Sequence, residues 1–253
     1  MNDNPPQISF VVPCYNESLN LADTVTELAI AAREVNLSRY EIVVVDDCST
    51  DNTLVVAQRL AAENPNILIV SNPVNLGYGG AYKNGVKHAH GTYAITIPGD
   101  NAHPANGISP ILRKAGETDI VIPYVINPEA RSHMRRLISR TFTAIFNGLF
   151  GLRVPYYNGL VLYRTNLLRS IEIKTDGFAF QAEAITRLLT AGASYSIVGV
   201  EIAEHKHGGT TAFRLKNVYR VLETILSLFF ELRVARWLGL RRLKLGHRPR
   251  TND

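Results

Sequence analysis

The chain has 253 residues, 46% of them hydrophobic and 19% charged, enough for one sizeable domain that buries roughly 70–75% of its unfolded surface. This composition excludes intrinsic disorder, collagen-like repeats and small disulfide scaffolds. With only two cysteines, Cys14 and Cys48, a reducing compartment is expected rather than a disulfide framework. The formal charge of +5 is concentrated at one end: residues 231–253 carry seven bases against two acids.

In chain order, the opening MNDNPPQISFVVP joins acidic Asp3 and two prolines to a short apolar run, unlike the charge pattern or length of a signal peptide. No uninterrupted apolar stretch approaches the roughly 20 residues of a transmembrane helix, so the chain is expected to be cytosolic unless something else anchors it. Residues 8–12, 42–45, 67–70 and 93–97 read as strands. Between the first two, Leu19, Leu21, Val25, Leu28 and Ala32 predict a helix introduced by Asn16-Glu17-Ser18, and Val55, Leu60 and Ala61 predict another after Ser49-Thr50-Asp51. The alternation predicts a parallel sheet with helices on both faces. Further strands are expected at 120–124, 160–163 and 195–200, and residues 131–149 have a helical pattern with bases at the front.

Near the C-terminus, Val218, Val221, Leu222, Ile225, Leu226, Phe229 and Phe230 fall at i, i+3, i+4 spacing, the apolar stripe of an amphipathic helix. Trp237 then lies among arginines. The combination suits a helix in the headgroup layer of an anionic membrane and equally a helix packed on the domain. Nucleic acid is not expected as a partner, because no stacking aromatics are interleaved with bases outside this tail. The expected organisation is one main domain over 1–212 and an appendage, an amphipathic helix with a basic tail, over 213–253.

Two segments suggest chemistry. V-V-V-D-D-C-S-T-D-N-T places Asp46 and Asp47 at the carboxyl edge of the sheet, where open α/β sheets bind ligands. There the carboxylates accept hydrogen bonds from a nucleobase or a ribose, or simply cap the next helix. N-L-G-Y-G-G-A-Y-K-N-G, residues 75–85, offers either backbone N–H groups to a phosphate or a tight turn. A dinucleotide-binding fingerprint fits poorly, since the first strand ends P-C-Y-N-E. The histidines, His88, His90, His103, His133, His205, His207 and His247, form no close ligand set with cysteine, so zinc is not expected.

Taken together, S-F-V-V-P-C-Y-N-E-S, V-V-V-D-D-C-S-T-D-N-T, N-L-G-Y-G-G-A and P-G-D-N-A-H-P, over residues 7–104, resemble family 2 glycosyltransferases of GT-A fold. R-R-L-I-S-R, N-G-L-V-L-Y-R, F-Q-A-E and K-H-G-G-T-T extend the likeness to about residue 212, toward polyprenyl-phosphate glycosyltransferases of the dolichol-phosphate mannosyltransferase type. The resemblance implies an α/β GT-A fold, a mostly parallel central sheet flanked by helices, to which the stripe at 218–230 adds a C-terminal amphipathic helix. It implies an inverting enzyme that moves a sugar from a UDP- or GDP-sugar to a polyprenyl phosphate at the cytoplasmic membrane face, with a transmembrane partner subunit or a second copy compatible with the sequence.

By resemblance, Pro13, Tyr15 and Glu17 surround the nucleotide, Asp46 and Asp47 read base and ribose, and Asp100 faces the diphosphate. The family's Asp-x-Asp motif holds Mg²⁺ or Mn²⁺. Here Pro98 replaces the first aspartate when aligned on His103-Pro104, and the alternative register keeps only Asp100. Arg135, Ser139 and Lys206 are expected to bind the acceptor phosphate, with Arg131, Arg136 and Arg140 assisting. A solvated basic helix face is the plainer reading of these bases. Pro155-Tyr156-Tyr157-Asn158-Gly159 stands where relatives commonly have Asp followed by Thr-Ser-Gly. Glu183 is expected to orient an arginine, act as a base or lie on a helix surface. Two rival functions remain open at the level of sequence: transfer to a saccharide, protein or lipid hydroxyl, and a degenerate nucleotide-binding scaffold.

Overall fold

The computed structural model describes residues 7–177, 179–202 and 215–234. Strands β1 (Ile8–Cys14), β2 (Tyr40–Asp46), β3 (Ile67–Ser71), β4 (Tyr93–Thr96), β5 (Ile120–Val125), β6 (Leu162–Arg164) and β7 (Tyr195–Val200) form one sheet in the order β3-β2-β1-β4-β6-β5-β7. Only β6 runs antiparallel to its neighbours β4 and β5. The helices are α1 (Leu21–Glu34), α2 (Thr53–Glu63), α3 (Gly77–His88), α4 (Ala105–Leu112), α5 (His133–Phe150), α6 (Thr165–Arg169), α7 (Phe180–Thr190) and α8 (Leu215–Phe229).

The continuous apolar runs of β1 and β2 are explained by burial on both faces. Side chains alternate across the pleat: Phe10, Val12, Ile42 and Val44 pack under α1, α2 and α4, whereas Val11, Val43 and Val45 pack with Tyr82, Phe146, Phe180 and Leu188 of α3, α5 and α7. Two sequence expectations shift in detail. Leu19 precedes α1 and is exposed, and α2 turns Thr53 and Ala57 fully inward with Val56 and Leu60 partly buried against the core, while Val55 faces out.

The apolar stripe near the C-terminus has two faces. Ile225, Leu228 and Leu232 are buried in the same core as Phe146, whereas Leu222, Leu226 and Phe230 are exposed. Domain packing therefore accounts for half of the stripe. No described helix is long and apolar enough to cross a membrane.

Candidate active site

The carboxyl ends of β1, β2 and β4 converge. Asp47 N–H donates to the Cys14 carbonyl at 2.8 Å, and Gly99 N–H donates to the Pro13 carbonyl at 3.1 Å. The register Cys14↔Asp46 sets the first two strands level. The loops that follow are tied to one another: Asn16 N–H donates to Ser49 Oγ at 3.0 Å, and Thr50 N–H returns to Asn16 Oδ1 at 2.8 Å. Glu17 N–H donates to Thr53 Oγ1 at 2.8 Å. Thr24 Oγ1 of α1 donates to the Gly99 carbonyl and accepts from Asn101 N–H, both at 3.0 Å. Asn16, Cys48 and Asn101 hold positive φ at these tips, the local strain that clusters at ligand sites.

Pro13 is buried, Tyr15 is half exposed, Glu17 is partly buried and Asp100 lies exposed on the rim. The edge is acidic. Burial pushes the Cys14 thiol well above its usual range, and Glu17, Asp46, Asp100 and Asp51 reinforce the shift, so this thiol is inert. Glu17 is raised by burial and by Asp100 and Asp51, against a hydrogen bond from Asn20. Asp51 is held at about 2, a slight burial cost being outweighed by hydrogen bonds from Thr53 and Ser18.

Asp46 and Asp47 have different environments. Asp47 Oδ1 accepts from Asn72 Nδ2 at 2.7 Å and Leu76 N–H at 2.9 Å, and Oδ2 accepts from Gly77 N–H at 2.8 Å. Asp46, only 4% exposed, has a buried Oδ1 without a hydrogen-bond partner among the described residues, unlike the occupied carboxylate of Asp47. The glycine-rich segment is a tight turn rather than a phosphate cradle: Leu76 and Gly77 donate to Asp47, and Gly79 N–H donates to the Asp176 carbonyl at 3.0 Å. A Cβ at Gly79 would lie 2.8 Å from that carbonyl. Glycine is required there for the close approach of two backbones.

Ser132 caps α5 by accepting from Arg135 N–H, and Gly151 ends the helix at φ 68°. Phe146 and Phe150 anchor the helix, with Phe142 and Tyr157 stacked against them. Arg135 and Ser139 share the inward side with Phe142 and are half-buried, while Met134, Leu137, Ile138 and Ile145 point outward and exposed. Arg131 donates to Tyr156 Oη at 2.9 Å and lies 5.3 Å from the ring centre, giving the departing Pro155–Gly159 segment a defined contact. Arg136 pairs with the His133 ring and Arg140 is exposed. Lys206, His205 and His207 lie outside the described residues.

Residues 9–174 match the family described as glycosyl transferase family 2. The chain belongs to that family. This glycosyltransferase is 24% identical over 232 residues to dodecaprenyl-phosphate galacturonate synthase of Rhizobium johnstonii, covering 90% of this chain and 68% of the relative. It is 28% identical over 191 residues to undecaprenyl-phosphate 4-deoxy-4-formamido-L-arabinose transferase of Shewanella sediminis, covering 70% and 57%. It is 30% identical over 130 residues to a dolichyl-phosphate beta-glucosyltransferase, ALG5C, of Trichomonas vaginalis, covering 50% and 39%. The chain thus spans only part of each of these relatives. Glucosyl-3-phosphoglycerate synthase from Mycobacterium tuberculosis, solved with Mn²⁺, UDP and glucosyl-3-phosphoglycerate, superposes with a TM-score of 0.65 at 20% identity over 88% of this chain and 79% of that one. Residues 1–349 of S. aureus TarS with UDP-GlcNAc give 0.60 at 20% identity over 87% and 66%. The expected GT-A fold is the one observed.

Among the described residues of the glycosyltransferase, no three His, Cys, Asp or Glu side chains gather to hold a metal. Asp100 is exposed on the edge, with Oδ1 accepting from Ala102 N–H at 3.1 Å. One such carboxylate fits a Mg²⁺-type ion that arrives with a substrate diphosphate, and does not make a closed protein cage. Glu183 is neither a surface carboxylate nor an available base: it is 1% exposed and accepts from Arg187 and from the N–H groups of Lys174 and Thr175. Sequence reasoning did not find Asn72, Thr24, Asp176 or Arg187, whose roles depend on partners far away in the chain.

Proposed function

We propose that this glycosyltransferase moves one sugar from a UDP- or GDP-sugar to a polyprenyl phosphate at the cytoplasmic face of a membrane. The observation that carries the reading is the division of α5: Arg135 and Ser139 face inward, and an exposed apolar face looks outward. An acceptor with a phosphate head and a hydrocarbon tail matches both faces of that helix. The named relatives, which act on dodecaprenyl, undecaprenyl and dolichyl phosphates, support the same acceptor class.

The donor's base and ribose would meet Asp46, Tyr15 and Glu17 above Pro13, with Asp47 holding the neighbouring turn. Asp100 would face the diphosphate. A Mg²⁺ or Mn²⁺ ion held by Asp100 and that diphosphate would neutralise charge on the leaving group. Arg135 and Ser139, with Lys206, would hold the acceptor phosphate in line with the anomeric carbon. A phosphate monoester is mostly dianionic at pH 7, so its oxygen attacks without a general base. The new carbon–oxygen bond forms as the bond to the diphosphate breaks, and the configuration inverts. A hydroxyl acceptor would need a base, and Glu183 is already engaged.

The test is incubation of the purified chain and anionic liposomes with radiolabelled UDP- and GDP-sugars, with and without polyprenyl phosphate. Label should enter the lipid phase only when lipid phosphate is present, in a product of inverted anomeric configuration. Transfer to hydroxyl acceptors alone, or retention of configuration, would overturn the reading.

A further inference from the structure

Beyond α8 the chain continues into a π-helical turn, Phe230–Val234, which brings Glu231 and Leu232 inward while Phe230 stays exposed. Glu231 meets Arg187 of α7 in a two-pronged pair: Nη1 donates to Oε1 at 3.1 Å and Nη2 to Oε2 at 3.0 Å. Oε2 also accepts from Lys174 Nζ at 2.8 Å. Arg187, 2% exposed, donates through Nε to Glu183 at 2.8 Å. Glu183 in turn accepts the N–H groups of Lys174 and Thr175, both at 3.0 Å.

The same loop then grips α3. Lys83 Nζ lies 2.6 Å from Asp176 Oδ1 and donates to the Ile173 carbonyl at 3.0 Å. The Asp176 carbonyl accepts Gly79 N–H, two residues from the Gly77 N–H that binds Asp47. Hydrogen bonds and ion pairs, joined by the short backbone stretches 174–176 and 77–79, thus connect the C-terminal segment to the donor edge.

Stability alone does not call for this cluster, because well-packed apolar side chains often stabilise as much as a buried ion pair or more. A contiguous polar network between two sites is, however, a physical route for coupling. We propose that Arg187 is a positioning residue: by seating Glu231 it sets the loop 173–177 and, through it, the turn that holds Asp47, so that docking of the C-terminal segment tightens binding of the donor's nucleotide. The inference rests on the donor-site reading of the β1, β2 and β4 edge.

Removing Arg187 would leave Glu183 buried without its cation, so the test acts on the more accessible partner. Full-length Glu231→Ala and Glu231→Gln are compared with wild type. Ile111→Ala, a buried residue on the opposite face of the sheet, serves as a control for general loss of stability. Amide hydrogen exchange is followed at Leu76, Gly77 and Gly79, each variant at the same distance below its melting temperature, and UDP and GDP binding is measured by calorimetry. Glu231→Ala should speed exchange at these three amides and weaken nucleotide binding about 3- to 30-fold, with Glu231→Gln between it and wild type and Ile111→Ala unchanged. Faster exchange confined to residues 230–234, or the same response in Ile111→Ala, would overturn the inference. If wild type binds neither nucleotide, the donor reading fails, and the exchange data still decide whether the latch reaches the turn.

Discussion

Asp47 accepts the backbone N–H of Gly77 at 2.8 Å, and with its bonds to Asn72 and Leu76 it fixes the turn into α3. Hydrogen bonds to a charged group contribute roughly 1.5–3 kcal/mol each, and an unmatched buried donor costs about 1–3 kcal/mol. Asp47→Ala should therefore lower stability by about 2–4 kcal/mol in urea unfolding. Asp46→Asn should leave stability nearly unchanged and weaken UDP or GDP binding about tenfold or more. Equal stability losses for the two variants would contradict the division of labour.

The Glu231 carboxyl is held at about 2 by hydrogen bonds from Arg187 and Lys174 and by their charges, against a burial cost. Its folded value lies below the ordinary 4.5, so its contribution to stability is complete above about pH 4.5 and is lost as the pH falls toward 2. In urea unfolding, wild type should lose more stability between about pH 4.5 and 2 than Glu231→Gln does. Equal losses in the two proteins would show that the latch does not titrate in this window.

The strands were legible because β1, β2 and β4 are short apolar runs ending in punctuating residues, and a parallel sheet buries such runs on both faces. Asp46, Asp47 and Asp100 stood out by motif, but the different surroundings of Asp46 and Asp47 did not. Asp47 is occupied by Asn72, Leu76 and Gly77, 25 to 30 residues away, and no local pattern announces such a partner. Likewise the stripe on α8 announced an amphipathic helix, yet one periodicity carried both a packed face and an exposed one. Glu183 read equally as an orienting group, a base or a surface carboxylate, and only its contacts with Arg187 and the N–H groups of Lys174 and Thr175 show it to be a buried, engaged group.

Asp100 is exposed next to Pro98, whose side chain has no ligand atom, and under the proposed function it is the carboxylate that would meet the cation. A hard cation held by one carboxylate depends on the nucleotide's phosphate oxygens and on water for its remaining ligands. Mn²⁺ binding followed by electron paramagnetic resonance should therefore be weak in the free protein and rise when UDP or GDP is added. Asp100→Asn should remove the nucleotide-dependent part, and Pro98→Asp should strengthen it. Tight Mn²⁺ binding without nucleotide that survives Asp100→Asn would place the metal elsewhere.

The two faces of α5 make separable predictions. Arg135 lies half-buried on the inward side, whereas Met134 and Leu137 are 65% and 62% exposed. A charge-assisted bond from Arg135 to phosphate is worth about 1.5–3 kcal/mol, so Arg135→Ala should raise KM for a short, water-soluble polyprenyl phosphate about 10- to 150-fold without changing UDP or GDP affinity. Burying an apolar side chain yields about 1.5–3 kcal/mol. The double variant Met134→Ser, Leu137→Ser should therefore reduce flotation with anionic vesicles by about tenfold or more while turnover of the soluble acceptor persists. If the double variant floats like wild type, the outward face is not what meets lipid. If Arg135→Ala impairs donor and acceptor binding alike, the arginine supports the fold rather than the acceptor phosphate.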